Sequence, residues 1–164
     1  FLCFASCSNS AYAHETSKTS FSAAPEFSLR DTKGKKVSLS DYKGSVVLIN
    51  FWATWCGPCI HEIPHLQKIY KDLKDEGFVI LGINVDEARN FSGIKPLAKK
   101  LGMEYPVLID RHRSVISLYN PSMVLPYTVI VGAEGEIYAY FAGYASGSEN
   151  EIRKAVEEAL DLKR

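Results

Sequence analysis

Two cysteines spaced by Gly57-Pro58 stand where an apolar run gives way to a helical pattern. That junction constrains the fold more than any other part of the chain. The run Val46-Val47-Leu48-Ile49 leads through Phe51-Trp52-Ala53 to Cys56. A strand this apolar fits the centre of a sheet covered on both faces. Beyond Cys56, the residues Ile60, Ile63, Leu66, Ile69, Tyr70 and Leu73 recur at spacings of three and four. This predicts an amphipathic helix over residues 57–75, closed by Gly77 and kinked at Pro64, which lacks a backbone donor. Residues 78–84, FVILGIN, form a second buried strand. Strand, helix and strand then make a right-handed βαβ unit.

The flanking segments complete a mixed sheet. Residues 26–39 alternate around Asp31-Thr32-Lys33-Gly34 and predict a β-hairpin, followed by a capped helical turn over Ser40–Gly44. Residues 87–101 carry a weaker helical pattern, with Gly93 and Pro96 disfavouring its first half. A short strand over 106–110 and a short helix over 115–119 follow. Residues 127–131 and 137–141 pair as a hairpin, and a helix over 148–162, capped by Ser148, ends the chain. The order implies an α/β fold with helices on both faces of one sheet. Three stretches divide the chain: a leader over 1–13, a flexible linker over 14–25, and one domain over 26–164.

Composition excludes several function classes. Nineteen acidic and nineteen basic side chains leave a formal net charge of zero. No basic patch with interleaved aromatics points to nucleic acid. No apolar stretch reaches the roughly 18 residues that a bilayer span requires. Residues 1–13, FLCFASCSNSAYA, read as the back half of a secretory signal peptide, with cleavage after Ala11-Tyr12-Ala13 leaving His14 first. One alternative is a lipoprotein signal over Phe4–Cys7 with Cys7 lipidated; another is a plain disordered tail. Of four cysteines, Cys3 and Cys7 lie in this leader. The domain keeps only Cys56 and Cys59, which is a redox motif rather than a disulfide-stapled scaffold.

A helix start gathers unpaired N–H groups and the positive end of the helix dipole, and there a thiolate is stabilised. Cys56 holds that place and is the expected nucleophile. Cys59, one turn later on the buried side, is the expected resolving thiol. Gly57 allows the backbone to turn, and Pro58 suits the first helical turn. The competing reading of C-x-x-C is a zinc site built with His61 and His65, but structural zinc draws ligands from separate segments, so no metal is assigned.

FWATWCGPC followed by a helix resembles the thioredoxin superfamily. Residues 44–64, GSVVLINFWATWCGPCIHEIP, are more similar to its TlpA/ResA branch of extracytoplasmic thiol–disulfide oxidoreductases. The hairpin upstream, Glu62, Pro64 and an extra segment around 85–110 match that branch too, and the similarity runs over residues 25–162. The resemblance implies a thioredoxin-like three-layer sandwich, with an N-terminal β-hairpin and a central insertion. It implies a cis peptide at Leu125-Pro126, facing the dithiol and offering the backbone of Leu125 to an extended target peptide. It implies no cofactor beyond the redox-active disulfide Cys56–Cys59. Partners would be a disulfide-containing protein, apocytochrome c being a common target, and a membrane thiol-electron donor.

Glu62 follows Cys59 by one turn. A partly buried carboxylate there has a raised proton affinity and can take the proton of Cys59. Cytosolic thioredoxins place an aspartate where this chain has Asn50, which cannot titrate, and that strengthens the role of Glu62. Trp52 is expected in the core, and Trp55 at the rim in contact with a partner. Asp86 and Glu87 read equally as site neighbours and as turn residues. A redox-inactive binding module is the alternative from another class. A thiol peroxidase fits less well, because Thr54 precedes Cys56 by two residues rather than three.

Overall fold

In the computed structural model, residues 15–17 and 22–163 are described. The leader over 1–13 lies outside them. The strands are β1 (Glu15–Ser17), β2 (Ser28–Asp31), β3 (Lys36–Ser38), β4 (Val46–Trp52), β5 (Phe78–Asn84), β6 (Val107–Ile109), β7 (Tyr127–Val131) and β8 (Ile137–Ala142). The helices are α1 (Gly57–Leu73), α2 (Phe91–Lys100), α3 (Ser114–Tyr119) and α4 (Ser148–Lys163). The strands form one mixed sheet in the order β1-β8-β7-β4-β5-β6-β2-β3. β4 is parallel to β5 and antiparallel to β7, so the βαβ unit sits at the centre.

β4 is buried along its whole length because its side chains alternate between two cores. Val46 and Leu48 join Leu66, Ile69 and Leu73 of α1 and the apolar stripe of α4. Val47, Ile49 and Phe51 join Ile94 of α2, Val115, Ile116 and Tyr119 of α3, and Val37 of the hairpin. Helices therefore cover both faces, as the apolar run required. Asn50 continues the row of Val46 and Leu48, which turns a polar side chain towards the α1 side. That single break in the apolar pattern becomes important at the site.

The insertion has a structural role. β6 runs parallel to β5 on one side and antiparallel to β2 on the other, so it joins the N-terminal hairpin to the central sheet. α2 is regular from Phe91 onward, through both Gly93 and Pro96. Burial of Ile94 and Ala98 on the sheet overrides the weak local propensity. α1 likewise continues through Pro64, then tightens into a 3-10 turn over Lys74–Glu76 that ends at Gly77 in the left-handed region, φ 83°.

Three expectations need correction. The stretch 14–25 is not wholly a linker: Glu15–Ser17 pairs antiparallel with β8, because the outer edge of a sheet offers unpaired backbone groups to a short strand. The helical turn before β4 begins at Leu39, and the Asp41 carboxylate accepts the Ser38 N–H at 2.8 Å. The Ser148 hydroxyl does not cap α4 forwards; it donates to the Ala145 carbonyl at 2.6 Å and so ties the preceding turn.

Candidate active site

Cys56 and Cys59 are joined by a disulfide, S–S 2.06 Å. Cys56 is the N-cap of α1, in extended conformation, and its Sγ accepts the Cys59 N–H at 3.2 Å. The sulfur thus meets the unpaired donors and positive dipole end of the helix, which favours a thiolate once the disulfide opens. Of the two cysteines only Cys56 keeps access to solvent, at 5% against 0% for Cys59. Gly57 and Pro58 are exposed beside them, with proline in the first turn, where its missing donor costs nothing.

Glu62 lies one turn beyond Cys59 and is 1% exposed. It is buried more deeply than its place on an amphipathic helix suggested. Asn50 Nδ2 donates to Glu62 Oε2 at 2.8 Å and to Thr128 Oγ1 at 3.0 Å. Asn50 and Thr128 are directly opposed in the β4–β7 register, so two strands present one polar spot beneath the helix. Burial drives the proton affinity of Glu62 up, and the bonds from Asn50 and Thr128 only partly oppose it; the carboxyl is pushed up to about 8. Such a group is poised to hold or release a proton near neutrality.

The turn into the dithiol hangs on a second buried carboxylate. Asp86 is 1% exposed. Its Oδ2 and Oδ1 accept the Thr54 N–H at 3.1 and 3.3 Å, and Oδ2 also accepts Asn84 Nδ2 at 3.0 Å. Asn84 returns a bond, its Oδ1 accepting the Asp86 N–H at 3.0 Å. The strand end is thereby tied to the loop after β5. Asp86 is a structural part of the site, whereas Glu87 is on the surface with Arg89 at 3.0 Å and Arg113 at 3.8 Å. Sequence alone carried one signal for this: Asn84 and Asp86 follow a buried strand at alternate positions. The role expected of Gly57 is corrected. Its backbone is outside the left-handed region and an added Cβ there would meet nothing within 4 Å. Asp86 holds the turn before the helix, and Gly57 leaves open space at its own position.

The Leu125–Pro126 peptide bond is cis. Phe51 pairs with Tyr127, so Pro126 stands at the same end of the sheet as the end of β4 and the dithiol beyond it. Leu125 packs against the core cluster that contains both cysteines. Trp52 is fully buried, while Trp55 is 61% exposed beside Cys56. His61 and His65 are exposed, and His65 Nδ1 lies 4.0 Å from Glu149 Oε1. Two residues close to this site were missed from the sequence: Thr128, a lone hydroxyl in an apolar strand, and Tyr105.

A thioredoxin-type sheet with a dithiol at the N-terminus of its first long helix defines a thiol–disulfide oxidoreductase. The sequence pattern of the AhpC/TSA family matches residues 22–140, and this chain belongs to that family of thioredoxin-fold proteins. It is 38% identical over 135 residues to thiol-disulfide oxidoreductase ResA of Bacillus subtilis, covering 82% of this chain and 74% of that protein. ResA of Geobacillus kaustophilus is 36% identical over 132 residues, covering 80% and 74%. Among solved structures, a Chlorobium tepidum chain named for thiol:disulfide interchange protein DsbE superposes with TM-score 0.80 at 26% identity, over 88% of this chain and 99% of that one. The thioredoxin domain of a Bacteroides vulgatus thiol-disulfide oxidoreductase gives TM-score 0.71 at 32% identity, over 85% and 99%.

Proposed function

We propose that this chain works outside the cytoplasm as a reductase of disulfides in other proteins. Cys56 is the nucleophile, Cys59 the resolving thiol and Glu62 the proton acceptor for Cys59. The observation that supports this best is the buried Glu62 carboxyl one turn beyond Cys59, held by Asn50 at 2.8 Å. The Cys56 thiolate attacks one sulfur of the target disulfide, forming a mixed disulfide and expelling the first target thiolate. Cys59 passes its proton to Glu62 and attacks Cys56 Sγ. The second target thiolate leaves, and the Cys56–Cys59 disulfide forms. Two electrons have then passed from this chain to the target, and a thiol donor must return them.

The resemblance to the TlpA/ResA branch supports a membrane thiol-electron donor in that role. It also supports an oxidised haem-binding C-x-x-C of apocytochrome c as target. Trp55, Gly57, Pro58, Leu125 and Pro126 form the surface against which the target chain is laid, with the backbone of Leu125 as its pairing edge. The leader over residues 1–13, read as an export signal, supports the location.

Insulin reduction by the pre-reduced protein tests the chemistry. Cys56→Ser should abolish it and Cys59→Ser should stall it at the mixed disulfide. Equal rates in wild type and both variants would refute the assignment. The target is found by mass spectrometry of the mixed disulfide trapped by Cys59→Ser.

A further inference from the structure

Asn120 follows α3 and is 2% exposed. Its backbone N–H donates to the Ile116 carbonyl at 2.7 Å, and its own carbonyl accepts the Met123 N–H at 3.0 Å. Its carboxamide serves the same loop. Nδ2 donates to the Val124 carbonyl at 2.7 Å, and Oδ1 accepts the Ser122 hydroxyl at 2.7 Å. One buried residue thus bonds to Ser122, Met123 and Val124 in turn. Met123 is held at φ 56°, in the left-handed region. That conformation is unfavourable for a methionine, so contacts around it must maintain it. On the other side of Leu125, the Pro126 carbonyl accepts the Gly143 N–H at 2.8 Å. Both neighbouring carbonyls are therefore occupied. Between them, neither the N–H nor the carbonyl of Leu125 has a hydrogen-bond partner among the described residues. Leu125 is half-buried and Met123 and Val124 are exposed, which sets this unpaired edge at the surface.

We propose that Asn120 is a positioning residue for target docking: by holding the Val124 carbonyl it aims the Leu125 N–H at a carbonyl of an extended target segment. The inference rests on the reading that Leu125 is the pairing edge. The Val124–Leu125 peptide is trans, so the Val124 carbonyl and the Leu125 N–H lie in one plane and point in opposite directions. A bond that draws the carbonyl towards buried Asn120 therefore turns the N–H away from it. The Ser122 hydroxyl occupies Oδ1 and so orients the carboxamide with Nδ2 towards Val124. A loop fixed in this way before docking loses little freedom when the target pairs with it, and that lowers the cost of binding. The bonds of Asn120 go to α3 and the loop and none goes to a sulfur, so the effect falls on docking and not on the exchange itself.

The test compares substrates that have a backbone with one that has none. The pre-reduced protein is given a linear peptide whose single cysteine is disulfide-linked to a chromophoric thiol, and separately a small aromatic disulfide. A third substrate is the same peptide with trans-alkenes in place of the amides flanking its cysteine, which keeps the shape and removes the acceptors. Asn120→Ala should raise KM for the amide peptide about tenfold, the scale of one lost hydrogen bond, with kcat unchanged. Reduction of the small disulfide should not change, and the alkene peptide should lose little further in the variant. Ser122→Ala, at an exposed position, should raise KM for the amide peptide about threefold by loosening the carboxamide. An unmoved KM in Asn120→Ala, or an equal loss on the small disulfide, overturns the proposal. Should Asn120→Ala fail to fold, an unmoved KM in Ser122→Ala overturns it instead. If wild type binds the alkene and amide peptides equally, the pairing edge itself is refuted and the role of Asn120 falls with it. A weaker alkene peptide with an unmoved Asn120→Ala would leave the edge standing and refute Asn120 alone.

Discussion

Asn50 Nδ2 donates to Glu62 Oε2 at 2.8 Å across the interface between the central strand and α1. An amide at that strand position cannot accept a proton, but it can hold a carboxyl that does. The buried carboxyl of this site is therefore carried by the helix, one turn from Cys59, and the strand supplies a hydrogen bond to it. Burial outweighs that bond, which is why Glu62 is pushed up to about 8 instead of being stabilised as a carboxylate at lower pH.

Removing the carboxyl should slow the resolving step. Glu62→Gln is expected to lower the rate of mixed-disulfide resolution on the order of 10²-fold, the usual scale for a lost general base. Stopped-flow decay of a mixed disulfide with a fluorescent target peptide measures it. Wild type should show a pH-dependent limb centred near the value of Glu62, about 8, that the variant lacks. A variant with the same rate and profile would leave Glu62 without a catalytic part.

The same group links stability to pH. Its folded-state affinity, about 8, lies above the ordinary value of 4.5, so between these limits the folded state holds more protons than the unfolded one. Stability contributed by the neutral carboxyl is complete below about 4.5 and is lost as pH rises towards 8. Urea denaturation of the disulfide form should therefore show wild type losing up to a few kcal/mol relative to Glu62→Gln across that window. Parallel curves for the two proteins would contradict the buried, protonated state.

Asp86 makes a separate prediction, since it touches no sulfur. Asp86→Ala leaves the Thr54 N–H and the Asn84 amide without their acceptor. The expected cost is about 1–3 kcal/mol in denaturant unfolding, because the orphaned Asn84 donor is buried and that of Thr54 partly so. Hydrogen exchange at Thr54 and Trp55 should accelerate more than at β4. A loss below roughly 0.5 kcal/mol would mean that the turn is held by other contacts.

Trp55 should separate protein substrates from small ones. It is 61% exposed, so Trp55→Ala should change stability by no more than about 0.5 kcal/mol. Reduction of a small aromatic disulfide should be unaffected, while KM for a protein disulfide should rise several-fold. Equal effects on both substrates would place Trp55 outside the docking surface.

Much of this protein was legible in its sequence because the signals are local. The apolar run of β4, the helical spacing of α1 and the C-x-x-C between them determined a central strand, a covering helix and a dithiol at their junction. Regular periodicity survives folding when one face of each element is buried. What sequence left open depends on pairs far apart in the chain. Asn50 faces Glu62 and Thr128 only because β4 and β7 lie in one register. Asp86 holds Thr54 because β5 ends beside β4. Tyr105 lies beside Gly82 only after the insertion folds back onto the sheet. α2 forms through Gly93 and Pro96 because burial outweighs propensity. The sequence alone thus determined which atoms exchange electrons. Only the tertiary structure decided that a carboxyl of raised proton affinity lies buried one turn from Cys59, since proton affinity depends on burial and hydrogen-bond partners that strands distant in sequence bring together.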